Sequence, residues 1–259
     1  MAEMRKVVID AGHGGAEPGA VYQRRREKND TLRLALAVGQ ILSENGVDVA
    51  YTRVTDVYQS PFEKAQMANN WGADFFVSLH RNAMPVAGTA SGTESLIYGM
   101  GGEAETMAAN INDELRKTGW NDLGIIERPG LIVLRRTEMP AVLVETGFID
   151  NEADNRFFDE NFDRTAQAIA DGILATIREE EKAPEYYQVQ VGAFEERQAA
   201  NQLLNQLLEE GYPAFLVAED GLFKVRVGAY LNLDNASWME RRLRAAGYPT
   251  VIVRERAVY

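Results

Sequence analysis

An α/β fold with a mostly parallel sheet and helices on both faces, followed by a small ferredoxin-like βαββαβ domain, is what this 259-residue chain predicts. Up to about Arg178, short β-branched or aromatic runs alternate with longer segments of helical spacing, the signature of a sheet covered by helices. Two of those runs lead straight to the only two histidines: Lys6-Val-Val-Ile-Asp10 precedes His13, and Asp74-Phe-Phe-Val-Ser-Leu79 precedes His80. Further on, Val189-Gln-Val-Gly192-Ala-Phe recurs as Val225-Arg-Val-Gly228-Ala-Tyr and Gly211-Tyr-Pro recurs as Gly247-Tyr-Pro, both offset by about 36 residues. Each copy reads as strand, amphipathic helix, glycine stop and strand, which doubles to the ferredoxin-like arrangement.

In chain order, strands are expected at Val7–Asp10, Val47–Tyr51, Phe75–Leu79, Glu94–Tyr98, Ile132–Leu134 and Val142–Glu145, each a short apolar run bounded by turn residues. Helices are expected at Thr31–Glu44, Pro61–Trp71, Ala104–Lys117 and Phe162–Glu180. The Asn45-Gly46 pair stops the first of these, because both residues tolerate the left-handed conformation. The tract Arg178-Glu-Glu-Glu-Lys-Ala-Pro184-Glu ends the last helix, since proline cannot extend it. Domain limits of 1–180 and 186–259, with a linker at 181–185, follow from that tract and from the repeat.

Composition narrows the function. At 46% hydrophobic and 25% charged residues the chain is ordinary for a globular protein, and a formal net charge of −12 argues against non-specific binding to nucleic acid or to an anionic membrane. With no cysteine, disulfides, thiolate zinc sites and cysteine nucleophiles are excluded. The N-terminus runs from Met1-Ala-Glu-Met-Arg-Lys6 into a strand and no window reaches about 18 apolar residues, so neither a signal peptide nor a transmembrane helix is expected.

Ligands of open α/β sheets bind beyond the strand ends. Two histidines at such ends point to a metal site, which needs a carboxylate to complete it and a water in the fourth position. Asp10, Glu17, Glu27, Asp30, Glu145 and Asp150 lie near strand ends. Glu27, ahead of the helix near Asp30, suits a ligand. Glu145 closes the apolar Ala141-Val-Leu-Val144 and suits a general base, because partial desolvation raises a carboxyl pKa. Structural readings stand beside these: a glutamate near a helix start favours the helix dipole, and a histidine in a glycine turn is often structural. Dinucleotide binding is not expected, because Glu17 stands where the third glycine of G-x-G-x-x-G belongs and Pro18 rather than a helix follows.

The wording of the motifs goes further. Val8-Ile-Asp-Ala-Gly-His13-Gly-Gly, Pro18-Gly-Ala, Glu27-Lys, Thr52-Arg, Ala68-Asn-Asn-Trp-Gly-Ala-Asp74, Val77-Ser-Leu-His80-Arg-Asn-Ala and Met139-Pro-Ala-Val-Leu-Val-Glu145-Thr-Gly-Phe together resemble the zinc-dependent N-acetylmuramoyl-L-alanine amidases of the amidase-3 family, in family order. The resemblance implies that His13, Glu27 and His80 bind zinc and that Glu145 is the catalytic carboxylate. It also implies a substrate: the peptidoglycan amide between the lactyl group of N-acetylmuramic acid and the L-alanine of the stem peptide. Lys64 stands where the family commonly has Arg, and the compact stretch Leu123–Arg135 bars carrying over groove details.

The repeat looks like the sporulation-related repeat (SPOR) domain, in which a doubled β-α-β unit carries Gln-Val-Gly-Ala-Phe in its first strand. That implies binding to peptidoglycan, in particular to glycan strands stripped of stem peptides. Gln188, Gln190, Lys224 and Arg226 fall on one face of two central strands and are the glycan-binding candidates, although a solvated sheet face would carry the same pattern. An RNA-recognition fold shares the topology but lacks its signature here. A wall amidase without a signal peptide is expected to act after lysis of a spore mother cell or a phage host, unless the chain is a trimmed form, and the SPOR resemblance favours the mother cell.

Overall fold

Five of the six residues of β1 (Lys6–Ala11) are buried, as befits a strand covered on both faces. The structure is a computed structural model that describes residues 4–182 and 185–256. It divides into two compact units, Met1–Glu179 and Glu180–Tyr259.

In the first unit β1 pairs in parallel with β4 (Asp48–Tyr51) on one side and β5 (Phe75–Asn82) on the other, and β5 pairs in parallel with β8 (Ala141–Phe148). β6 (Thr93–Ile97) runs antiparallel to β8, and β7 (Asp122–Glu127) closes the edge parallel to β6. The order is therefore β4-β1-β5-β8-β6-β7, a mostly parallel sheet as expected. Alternate strand residues face opposite ways, and each set has its own helices. Ile9, Val77 and Val144 pack against α1 (Glu27–Glu44), α3 (Gly102–Thr118) and α6 (Phe162–Lys182), whereas Val8, Phe76 and Leu143 meet α2 (Pro61–Trp71) and α4 (Ile132–Arg135). Helix α2 starts with Ser60 and Glu63 in a reciprocal capping box, with proline in its first turn, which satisfies two amides that no helical carbonyl can reach.

Three expectations are corrected. Ile132–Leu134 is not a strand but most of α4, which follows the Pro129-Gly130 turn; a three-residue apolar run carries no period to tell the two apart. The edge position falls instead to β7, whose half-exposed sequence and central Gly124 (φ 92°) hide its strand character. Helix α1 begins at Glu27 rather than Thr31, so Glu27 opens the helix instead of preceding it. Three further elements were not expected at all: β2 (Val21–Tyr22) and β3 (Arg25–Arg26), which form a hairpin, and α5 (Glu152–Glu160). The hairpin is too short, and α5 too polar, to show a pattern.

The second unit is β9 (Glu185–Phe194), α7 (Arg197–Glu209), β10 (Ala214–Glu219), β11 (Leu222–Tyr230), α8 (Leu233–Ala245) and β12 (Val251–Arg256). Its antiparallel order β10-β11-β9-β12 is the expected ferredoxin-like sheet. The repeated Gly-Ala-aromatic motif has a packing cause: a Cβ on Gly228 (φ 65°) would lie 2.4 Å from the Tyr230 ring, and one on Gly192 2.7 Å from Phe194. Of the linker expected at 181–185, residues 183 and 184 lie outside the described residues, while α6 reaches Lys182 and β9 begins at Glu185.

Candidate metal centre

Past β1 the backbone turns sharply and puts His13 in the left-handed region at φ 60°, a conformation non-glycine residues rarely hold. Neighbouring glycines let the chain close on the site. A Cβ on Gly12 would come within 2.5 Å of the His80 ring, and one on Gly19 within 2.5 Å of Glu27 Oε2 and 2.6 Å of His13 Cδ2.

Glu27, only 3% exposed, joins the pieces. Its Oε1 accepts from the Arg81 amide at 3.1 Å and lies 2.9 Å from His80 Nδ1; its Oε2 accepts from the Ala20 amide at 2.8 Å and lies 3.0 Å from His13 Nε2. Burial alone would raise this carboxyl, but the hydrogen bonds and charges of the two histidines outweigh it and hold the group well below the usual range. Burial likewise works against a charged His13, yet Glu27 and Glu17 together raise its pKa.

Ligand atoms of His13, Glu27 and His80 lie within 4.8 Å of one another, and this is the only such group among the described residues. Two imidazoles and an ionised carboxylate suit a divalent cation with one position left for water. Beside them stands Glu145, in register with His80 on β5 and with Glu94 on β6. Its Oε2 is buried with no hydrogen-bond partner, an arrangement rare in proteins unless a water, ion or substrate supplies the contact. Burial is the main force pushing its pKa up to about 7; Glu27 and Glu94 add to the rise, and the histidines oppose it. The donor set and the partnerless carboxylate fit a catalytic metal with a base next to it.

The other strand-end carboxylates are engaged elsewhere. Asp30 pairs with Arg25 at 2.6 Å and Arg81 at 2.8 Å, and Asp150 accepts from the Met84 amide at 3.0 Å through Oδ2, while its buried Oδ1 has no hydrogen-bond partner. Asp10 is held among Lys64, Thr52 and Ser78. Glu17 bonds His13 Nδ1 and the Gly19 amide, which fixes the imidazole with its other nitrogen toward Glu27. A cleft of about 480 Å³ opens over the site, lined by His13, His80, Tyr58, Gln59, Leu131 and Ile132 among others.

Residues 7–175 match the N-acetylmuramoyl-L-alanine amidase family. The chain belongs to that family. Residues 183–257 match the SPOR domain. The amidase is 35% identical over 224 residues to the sporulation-specific N-acetylmuramoyl-L-alanine amidase of Bacillus subtilis, covering 84% of this chain and 86% of that one. Its fold matches the catalytic domain of CwlV from Bacillus (Paenibacillus) polymyxa var. colistinus with a TM-score of 0.63 and 36% identity over 68% of this chain and 99% of that one. An N-acetylmuramoyl-L-alanine amidase from Clostridium difficile 630 gives 0.65 and 31%, over 68% and 97%.

Three buried cations hold the amidase's metal loop, and sequence reasoning gave them no role. Arg53 donates to the carbonyls of Ala11, Gly12 and Lys28 at 2.8–3.1 Å. Lys28 bonds Gly15 O at 2.8 Å and Asp56 at 2.6 Å. Lys64, the position flagged as a departure, bonds Ala11 O at 2.7 Å and Asp10 at 2.8 Å. The Glu27-Lys and Thr52-Arg motifs and the departure at Lys64 marked their positions but not what they hold.

In the SPOR domain Val189, Val191, Val225 and Val227 are buried, so Gln188, Gln190, Lys224 and Arg226 share the other face of β9 and β11. Arg226 is not a free surface group: it is 3% exposed and bonds Gln188, Glu219 and Glu255 at 3.2, 2.7 and 2.9 Å. Lys224 pairs with Glu219 and Asp220. Gln190 alone of the four has no side-chain hydrogen bond among the described residues.

Proposed function

We propose that this amidase uses zinc, held by His13, Glu27 and His80, to hydrolyse the amide between N-acetylmuramic acid and the L-alanine of the stem peptide, with Glu145 as general base. The convergence of those three donors beside the partnerless buried carboxylate of Glu145 carries the reading. When bound, zinc supplies Lewis acidity that lowers the pKa of water and polarises a carbonyl. Glu145 takes the proton of the attacking water and returns it to the departing alanine nitrogen. A carboxyl poised near pH 7 by burial suits both transfers. Glu17 and the loop cations hold His13 in place, and the cleft's apolar wall of Leu131 and Ile132 thins the water around the reacting bond.

Residues 1–180 carry the reaction in this reading. Residues 186–259 bind denuded glycan through the sheet face of Gln188, Gln190, Lys224 and Arg226. The two cations of that face are neutralised by Glu219, Asp220 and Glu255, which suits uncharged sugar rather than a polyanion. Cleavage then creates the ligand that retains the enzyme. Likeness to a sporulation-specific amidase supports action on the wall when a spore mother cell lyses. Purified wall digested by the zinc-loaded protein should gain N-terminal alanine and no other new amino terminus. New termini within the stem peptide or cross-bridge would make it a peptidase instead.

A further inference from the structure

Strand β6 brings one more carboxylate to the metal side of the sheet. Glu145 on β8 is in register with His80 on one side and with Glu94 on the other, and residues paired across a ladder point to the same face. His80, Glu145 and Glu94 therefore form a row running away from the metal ligands. Asn82, beyond a register shift that follows His80 in the β5–β8 ladder, donates Nδ2 to Glu94 Oε1 at 2.9 Å while its own Oδ1 accepts from the Ala83 amide at 2.8 Å. Glu94 is half-buried and has no ion pair among the described residues. A second carboxylate set beside the base without a cation is unfavourable in the resting protein, and the amide side of the reaction supplies one.

We propose that Glu94 is a further catalytic residue that accepts a hydrogen bond from the leaving alanine nitrogen as it becomes an ammonium, with Asn82 fixing its carboxylate. The proposal rests on the amidase reading above. In balance, Glu145 passes the water's proton to the amide nitrogen, the C–N bond breaks with its electron pair on nitrogen, and the proton of the new lactyl acid passes to the freed amine. One carboxylate and one ammonium leave, the latter from an amine with a pKa of roughly 7.7–8.0. Glu94 and the Glu145 carboxylate flank that ammonium.

Glu94→Gln tests this, because it keeps the acceptor for Asn82 and the side-chain shape but removes the charge. In the full-length zinc-loaded protein, kcat on purified wall should fall on the order of tenfold or more, with KM, zinc content and melting temperature retained. Free stem peptide with its alanine amino terminus should inhibit the native protein more strongly than the N-acetylated peptide does, and the variant should lose that difference. An unchanged kcat would overturn the proposal, as would a lowered kcat with the inhibition difference intact, or loss of zinc. Failure of the native protein to release N-terminal alanine at all would instead sink the amidase reading.

Discussion

At Gly19 the backbone runs so close to two of the proposed metal ligands that a single methyl group would meet both, at 2.5 Å from Glu27 Oε2 and 2.6 Å from His13. Its φ of 68° adds backbone strain to any replacement. Gly19→Ala should therefore weaken zinc binding by about 10- to 100-fold, the usual worth of the shell around ligands, in a competition with a zinc chelator; native-like affinity would show that the loop yields easily. The buried pair of Lys64 and Asp10 gives a second test. Burial works to raise the Asp10 pKa, but Lys64 and the hydroxyls of Ser78 and Thr52 bring it below the usual value. A depressed carboxyl stabilises the fold above its unfolded pKa, and that stability is lost only as pH falls through the lower, folded value. Lys64→Met leaves the carboxylate buried and uncompensated, at a cost of about 3–5 kcal/mol. Without the lysine, burial raises the folded pKa instead, so protonation relieves the variant first. The gap in melting temperature should be widest at neutral pH and narrow towards pH 5; a gap independent of pH would mean that packing, not charge, sets it.

Elements differ in how openly the chain declares them. β1, β5 and β8 open as apolar runs that lead to His13, His80 and Glu145, so the strands and these residues were legible together, although β5 continues to Asn82 and β8 to Phe148, past the ends expected at Leu79 and Glu145. Ile132–Leu134 shows the opposite case: its three apolar residues serve as well on a helix as on a strand, and only packing against α2 and β8 decides. The supports Arg53 and Lys64 were illegible in role, because their carbonyl partners come together only when β1, β4 and α2 have packed. On β9 and β11, periodicity placed the polar face but not its ion pairs. Arg226→Ala takes from Glu255 its ion pair and leaves Glu219 only Lys224, and should lower the melting temperature, whereas Gln190→Ala should leave stability within the range of surface changes, about 0.5 kcal/mol. If that face reads glycan, Gln190→Ala weakens pull-down on amidase-treated wall. Unchanged pull-down would place the binding surface elsewhere.

For the whole molecule, the account joins a hydrolytic centre to a domain that holds the product. A chain ending at residue 180 should still release alanine amino termini from small soluble wall fragments yet lose retention on denuded wall; equal retention would detach the SPOR domain from targeting. No helix among the described residues is long and apolar enough to cross a membrane. The central claim is that His13, Glu27 and His80 hold the metal while Glu145 moves the proton. Glu145→Gln in the full chain separates those roles, since glutamine keeps the shape but cannot take a proton from water. Measured on purified wall with zinc content determined in parallel, the variant should bind wall and keep its zinc while turnover falls on the order of 10²-fold or more. Near-native release of alanine amino termini, or loss of the zinc, would contradict the assignment.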